Sequence, residues 1–236
     1  MERGFQGSLE RASAAAAQAS LELRQTGRGL VLTDGALELR ADFAHILPRI
    51  RQGALQRELL VRAAKLKHAA APVAVDATAG LGEDAFLLAA AGFHVRLYEC
   101  NPVVAALLRD ALARAAEDPA LAPIAARMDA GEGDSLQALA EMAATGAAPD
   151  LVYLDPMFPG RTKSAAVKKK FQLLHHLERP CADERAMLEA ALAAGPRKVV
   201  VKRPVKGPYL AGVKPSRSIA GKAVRYDVLV PLKKEA

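Results

Sequence analysis

Val73-Ala74-Val75-Asp76-Ala77-Thr78-Ala79-Gly80-Leu81-Gly82-Glu83-Asp84 reads as a buried strand, a glycine turn and the first turn of a helix. The strand opens after Pro72 and is short and apolar. The helix runs from Glu83 to Ala91 and is stopped by Gly92. A second strand follows at Val95 to Glu99. Asn101 then has the side chain to cap a helix, and Pro102 suits its first position; that helix extends to about Ala116. Farther out, Asp134 caps a short helix through Leu139, and Leu151 to Leu154 is a strand ending at Asp155-Pro156. Helices are expected at Ser164 to Leu177 and Asp183 to Ala194, and strands at Lys198 to Val201 and Val224 to Val230. Strands alternating with helices at this spacing predict an α/β fold with a parallel sheet covered on both faces. Lys206 to Ala223, rich in Gly, Pro and Lys, reads as a loop.

Residues 1–70 read as a separate small unit, with residues 71–236 as the main domain. Leu30 to Leu32 and Leu37 to Leu39 flank Thr33-Asp34-Gly35, the pattern of a hairpin or a strand–turn–strand. Leu55, Leu59, Leu60, Ala63 and Leu66 recur at helical spacing, with Arg51, Arg57, Arg62, Lys65 and Lys67 on other faces.

The chain has 236 residues, 51% hydrophobic and 25% charged, which excludes disorder as the main state. No apolar run approaches the ~20 residues of a membrane span, and Ala12 to Ala19 lacks the pattern of a signal peptide. Two cysteines, Cys100 and Cys181, exclude a disulfide scaffold and a multi-cysteine metal site, and a reducing cytoplasm is the expectation. The five histidines show no metal-ligand spacing, so no metal is expected. The net charge of +7 divides unevenly: +4 over residues 1–70, −9 over 71–155 and +12 over 156–236. Basic surface of that density attracts polyanions, of which nucleic acid is the commonest.

The glycine turn is a candidate cofactor loop. Gly80 and Gly82 let the backbone approach a ligand, and the helix start offers free amide donors. Glu99, at the end of the next strand, can accept hydrogen bonds from both hydroxyls of a ribose. Gly80-x-Gly82-x-x-Ala85 also satisfies the dinucleotide fingerprint, so NAD competes with S-adenosylmethionine (SAM). Two features favour SAM. Asp76, four residues before Gly80, suits a methionine amino group and would sit badly against a pyrophosphate. Glu83 and Asp84 suit the helix dipole but would repel a dinucleotide's phosphates. Asp134-Ser135, after the third strand region, is expected to face the adenine while Asp134 also caps its helix. Cys100 is expected at the pocket edge.

Leu151-Val152-Tyr153-Leu154-Asp155-Pro156-Met157-Phe158-Pro159 is the candidate catalytic loop. It resembles the [Asp/Asn/Ser]-Pro-Pro-[Tyr/Phe] loop of methyltransferases that act on exocyclic amines of bases, with Met157 in place of the second proline. An aromatic amine delocalises its lone pair and is a poor nucleophile. Acceptors at Asp155 and the Pro156 carbonyl would favour a more tetrahedral nitrogen, and Phe158 offers a face for stacking the base. Arg161, Lys163, Lys168, Lys169 and Lys170 follow, with Lys198, Lys202, Arg203 and Lys206 beyond the next strand. These place positive charge around the rim where a polynucleotide backbone would pass.

Four stretches together resemble the bacterial small-subunit ribosomal RNA methyltransferase J family: Asp76 to Asp84, Tyr98-Glu-Cys-Asn-Pro-Val-Val-Ala-Ala-Leu-Leu108, Val152-Tyr-Leu-Asp-Pro-Met-Phe-Pro159 and Lys198-Val-Val-Val-Lys-Arg-Pro204. The resemblance implies a Rossmann-like class I methyltransferase fold. Its seven-stranded, mostly parallel sheet would carry helices on both faces and an antiparallel last hairpin, with a small N-terminal α+β extension. It implies SAM as cofactor and the 2-amino group of a guanine in 16S ribosomal RNA as methyl acceptor. On this resemblance, cofactor contacts fall on Glu83, Asp84, Glu99, Cys100, Asp134, Ser135 and Asp155, beside Asp76, Gly80 and Gly82. Catalysis falls on Asp155, Pro156 and Phe158. The sequence departs from the family at Cys100, where a basic residue is common, and at Asp134, where a small hydroxyl residue is common. A methyltransferase acting on DNA or on protein amines would keep the same cofactor site.

Overall fold

The computed structural model describes residues 2–131, 133–156, 172–174, 177 and 183–231. In chain order the elements are α1 (Glu2–Gln18), β1 (Glu22–Thr26), β2 (Gly29–Thr33), β3 (Glu38–Leu39), α2 (Leu47–Ile50), α3 (Leu59–Ala64), β4 (Val73–Asp76), α4 (Glu83–Ala90) and β5 (His94–Leu97). They continue with α5 (Pro102–Glu117), α6 (Ala122–Ala125), β6 (Met128–Ala130), α7 (Ser135–Thr145), β7 (Leu151–Leu154), α8 (Glu184–Ala193), β8 (Lys198–Pro204), β9 (Arg217–Ala220) and β10 (Val224–Leu229).

β4 to β10 form one seven-stranded sheet in the order β6-β5-β4-β7-β8-β10-β9. The pairs β5–β6, β4–β5, β4–β7 and β7–β8 are parallel. Only β10 is reversed, pairing antiparallel with β8 and β9. This is the mostly parallel, seven-stranded α/β sheet that the family resemblance implies. The strand order reverses between β4 and β7, which opens a crevice at the carboxyl ends of those strands.

Strand periodicity sorts the core into two layers. Val75, Val152, Leu154, Val199 and Val201 point to one face and pack with Leu139 and Met142 of α7 and Met187, Leu188 and Ala191 of α8. Ala74, Leu151, Tyr153, Val200 and Val228 point to the other and join α4 and α5. That second layer runs on into the N-terminal residues, where Ala12 and Ala16 of α1 and Leu32 of β2 are fully buried. Phe43 stacks on Phe86 of α4 with ring centroids 4.7 Å apart, and Arg109 of α5 donates to the Ser8 hydroxyl at 2.9 Å.

Asn101 caps α5 by accepting from the amides of Val103 and Val104, and Asp183 caps α8 through Ala186. Several expectations need correction. The expected helix over Leu55 to Leu66 is a 3-10 turn, Leu55–Arg57, followed by the short α3. Glu58 breaks it: its backbone is extended, and its carboxylate holds Arg49 through two bonds of 2.9 and 2.8 Å. The helix after Asp134 runs to Thr145, ended by Gly146 in the left-handed region. The stretch read as a loop over Lys206 to Ala223 contains β9. As an edge strand, β9 is mostly exposed and polar, so it lacks the apolar alternation that marks strands. α1 and β1 were not anticipated. The expected helix over Ser164 to Leu177 lies mostly outside the described residues; Gln172, Leu173 and Leu174 are helical.

Candidate active site

β4 delivers Asp76 to the crevice, level with Leu97 of β5 and Tyr153 of β7. The chain then turns through Gly80 and Gly82, both in the left-handed region at φ +54 and +79. The two glycines answer to different constraints. A Cβ on Gly82 would lie 2.6 Å from Leu108 Cδ1 and 3.3 Å from Phe43 Cζ, so the turn is pressed against α5 and the N-terminal segment. A Cβ on Gly80 would meet nothing within 4 Å, so this glycine borders open space.

Asp76 is 1% exposed. Its Oδ1 accepts from the Thr78 amide at 3.1 Å, while Oδ2 has no hydrogen-bond partner among the described residues. Burial pushes its pKa up to about 8, with the negative charges of Asp84 and Asp155 adding to the shift. Glu99, just past β5, is fixed from two sides: Oε2 accepts from the Gly80 amide at 2.9 Å and Oε1 from the Asn101 amide at 2.8 Å. Burial raises its pKa, and those backbone bonds oppose the rise. Cys100 is an exposed free thiol, raised by burial of its sulfur, then by Glu99 and, more weakly, by Asp134. Asp134 caps α7 by accepting from Leu136 at 2.9 Å, and Ser135 beside it is buried.

On the other side of Asp76 lies an ionic cluster. Lys202 of β8 places Nζ 2.6 Å from Asp84 Oδ2 and 2.8 Å from Asp155 Oδ2. The Tyr153 hydroxyl donates to the same Asp84 oxygen at 2.6 Å. Burial pushes the Asp84 pKa up, but the Lys202 charge and its hydrogen bond outweigh burial, and the net shift is downward. For Lys202, burial opposes the charge, and Asp84 and Asp155 outweigh it, so its pKa is raised. Thr78 joins the two loops: its hydroxyl oxygen accepts from the Asp155 amide at 2.6 Å. Glu83 points away from this cluster to His45, whose Nε2 is 3.1 Å from Glu83 Oε1 on a half-exposed surface.

Asp76, Gly80, Asp84, Glu99 and Asp155 thus converge at the ends of β4, β5 and β7. Gly82 acts in packing, and Glu83 pairs with the N-terminal segment. Cys100 follows Glu99 past β5, and Asp134, at the start of α7, is near enough to raise its pKa. Pro156 is buried behind Asp155. Phe158, Met157 and the basic run Arg161 to Lys170 lie outside the described residues.

Sequence reading placed Lys202 only on a basic rim and gave Thr78 and Tyr153 no role. The signal lay in the strand register. Leu154 pairs with Val201, so the next residues, Asp155 and Lys202, emerge side by side.

These residues fit an adenosine cofactor with a cationic amino acid end. A buried carboxylate oxygen lacking a donor suits an ammonium group, and a fixed Glu99 suits a ribose diol. Among the described residues no group of three or more His, Cys, Asp or Glu could hold a metal ion, and no helix is long and apolar enough to cross a membrane.

The chain is similar to known proteins over most of its length. The sequence profile of a family described as "Putative SAM-dependent methyltransferase" matches residues 9–231. The ribosomal RNA small subunit methyltransferase J of Pseudomonas fluorescens is 42% identical over 210 residues, covering 88% of this chain and 78% of the relative. The protein of the same name from Nitrosococcus oceani is 48% identical over 180 residues, covering 76% and 70%. Among solved structures, a SAM-dependent methyltransferase from Neisseria gonorrhoeae superposes with a TM-score of 0.73 at 33% identity, over 90% of this chain and 84% of that one.

Proposed function

Because the chain belongs to the ribosomal RNA small subunit methyltransferase J family of SAM-dependent methyltransferases, we propose that it methylates the 2-amino group of a guanine in small-subunit ribosomal RNA. The observation that carries this reading is the juncture of the two loops. The Asp155 amide donates to Thr78 of the glycine loop at 2.6 Å, so an amine held at the Asp-Pro corner lies next to the cofactor end of β4.

SAM supplies a methyl group already activated by its sulfonium, so the protein's work is binding and positioning. Asp76 holds the methionine ammonium with its free Oδ2, and its proton leaves as that cation arrives. Glu99 takes the ribose hydroxyls, and Gly80 gives the cofactor close access to the backbone. Cys100, Asp134 and Ser135 complete the wall on the adenine side, while Glu83, turned toward His45, takes no part in it. Asp155 and the Pro156 carbonyl accept hydrogen bonds from the guanine amine and aim its lone pair, the amine proton passing by way of Asp155 to solvent once the nitrogen is methylated, while Phe158 stacks on the base. Lys202, itself held by Asp84, holds Asp155 in place from behind. Base access requires single-stranded RNA or a flipped nucleotide.

Residues 71–236 act as the catalytic domain, and residues 1–70 form a small basic unit that braces the glycine loop through Phe43. A ribosomal RNA substrate implies work in the cytoplasm. The test is nucleoside mapping of 16S ribosomal RNA from cells with and without this gene. One 2-methylguanosine present only with the gene supports the reading; identical modification maps refute it.

A further inference from the structure

At the amino ends of the strands, on the opposite edge of the sheet from the cofactor crevice, lies a groove of about 670 Å³ lined by Arg62, Lys65, Lys67, Arg197, Lys198 and Arg217. No carboxylate among the described residues lines it. Two of the cations build it. Arg197 donates to the Lys67 carbonyl at 2.6 Å while pairing with Asp150 at 3.3 Å, and Lys198 Nζ bonds to the Lys65 carbonyl. They tie the segment after α3 to the start of β8. Arg62, Lys65, Lys67 and Arg217 are exposed and make no ion pair among the described residues. The Lys198 pKa is lowered, first by burial and then by the nearby charges of Arg217 and Arg197. Positive potential therefore accumulates in the groove, balanced among the described residues only at Arg197 by Asp150. Leu66 and the exposed Val230 add an apolar strip suited to sugar or base faces.

We infer that this groove binds the phosphate backbone of the RNA substrate, at a stretch away from the target guanine. The inference rests on the reading above that the substrate is ribosomal RNA. Lys198 and Lys202 are four residues apart on one strand, about 13 Å at 3.3 Å per residue. The groove is thus too far from Asp155 to touch the reacting base, and it contributes to substrate affinity alone. Closely set, unbalanced cations are what a polyanion with regularly spaced charges needs, because each phosphate neutralised releases bound counterions.

The experiment compares wild type with a variant carrying Lys65→Ala, Lys67→Ala and Arg217→Ala. None of these side chains holds the groove together. Binding of a 16S ribosomal RNA fragment is measured against salt, with SAM affinity and thermal midpoint as folding controls. Loss of three phosphate contacts is expected to flatten the slope of log K against log salt by about 2 for single-stranded RNA. The KM for RNA should rise about ten-fold or more with kcat and SAM affinity unchanged. Photo-crosslinking of wild-type protein to the same fragment should label peptides spanning residues 62–67 and 217, a readout independent of the variant. A wild-type slope and KM in the variant, with no crosslink at those peptides, overturns the inference. So does an unchanged RNA slope with lost binding to phosphatidylglycerol vesicles, which would make the groove a membrane contact. Failure of the functional reading shows separately, as absence of methyl transfer to RNA by wild-type protein.

Discussion

The Lys202 ammonium stands 2.8 Å from the Asp155 carboxylate, with side chains only 17% and 31% exposed. The contact links β8 to the end of β7, and through Asp84 to α4. Replacing Lys202 by Met leaves two carboxylates facing each other without a cation. Breaking a pair of this kind costs about 3 kcal/mol. Lys202→Met is therefore expected to lower the melting temperature and to reduce kcat about 10- to 100-fold, as loss of a charged hydrogen bond does. Lys202→Arg should recover part of kcat. Stopped-time assays with radiolabelled SAM measure this, and a Met variant with wild-type kcat would remove Lys202 from the site.

Asp76 makes the pH dependence specific. Its pKa of about 8 in the folded protein lies above the ordinary carboxylate value of 3.8. Between those values the folded protein holds a proton that the unfolded chain has released, so this group lowers stability as pH rises from about 4 to 8. Asp76→Asn should be more stable than wild type at pH 8 and nearly equal to it at pH 4. Binding of a cation at Oδ2 favours the carboxylate, so SAM binding at pH 7 should release close to one proton. Calorimetry in buffers of different ionisation enthalpy reads that release. The Asn variant should show none, with weaker binding.

The two glycines of the turn should separate stability from binding. Gly82→Ala drives a Cβ to 2.6 Å from Leu108 at φ +79. Overpacking of that kind costs about 1–3 kcal/mol, or roughly 2–12 °C in melting temperature for a chain of this size. Gly80→Ala has room for its Cβ, so its expected cost is only the ~1 kcal/mol of a left-handed alanine. Its larger effect should be on SAM affinity. Thermal melts and calorimetry on both variants decide this; equal melting temperatures would contradict the packing assigned to Gly82.

Glu99→Gln keeps a carbonyl oxygen for one of the two backbone amides but loses the charge. Hydrogen bonds to charged groups contribute about 1.5–3 kcal/mol, so SAM should bind about 10- to 100-fold more weakly. Adenine alone should be less affected than adenosine. Equal losses for both ligands would place Glu99 away from the ribose.

Local chemistry carries much of this fold in plain view. Asp76, Asn101, Asp183 and the run Leu151 to Leu154 announce strand ends and helix caps, because each depends on neighbours in sequence. The edge strand Arg217–Ala220 was hidden because its exposed side chains carry no burial signal. The break at Glu58 arises from a partner nine residues away, Arg49. The ionic cluster was hidden for the same reason: Asp84, Asp155 and Lys202 meet only through the register of β4, β7 and β8. Propensity does not encode register, so carboxylates could be named from sequence while their shared cation could not.

The most direct test of a methyl donor aimed at the Asp-Pro corner is single-turnover transfer from radiolabelled SAM to unmodified small-subunit ribosomal RNA, comparing wild type with Asp155→Ala. Wild-type protein should convert one guanine to 2-methylguanosine. The variant should bind SAM with only modestly reduced affinity and transfer no methyl group. Undiminished transfer by Asp155→Ala, or label on any atom other than a guanine 2-amino nitrogen, would contradict the account.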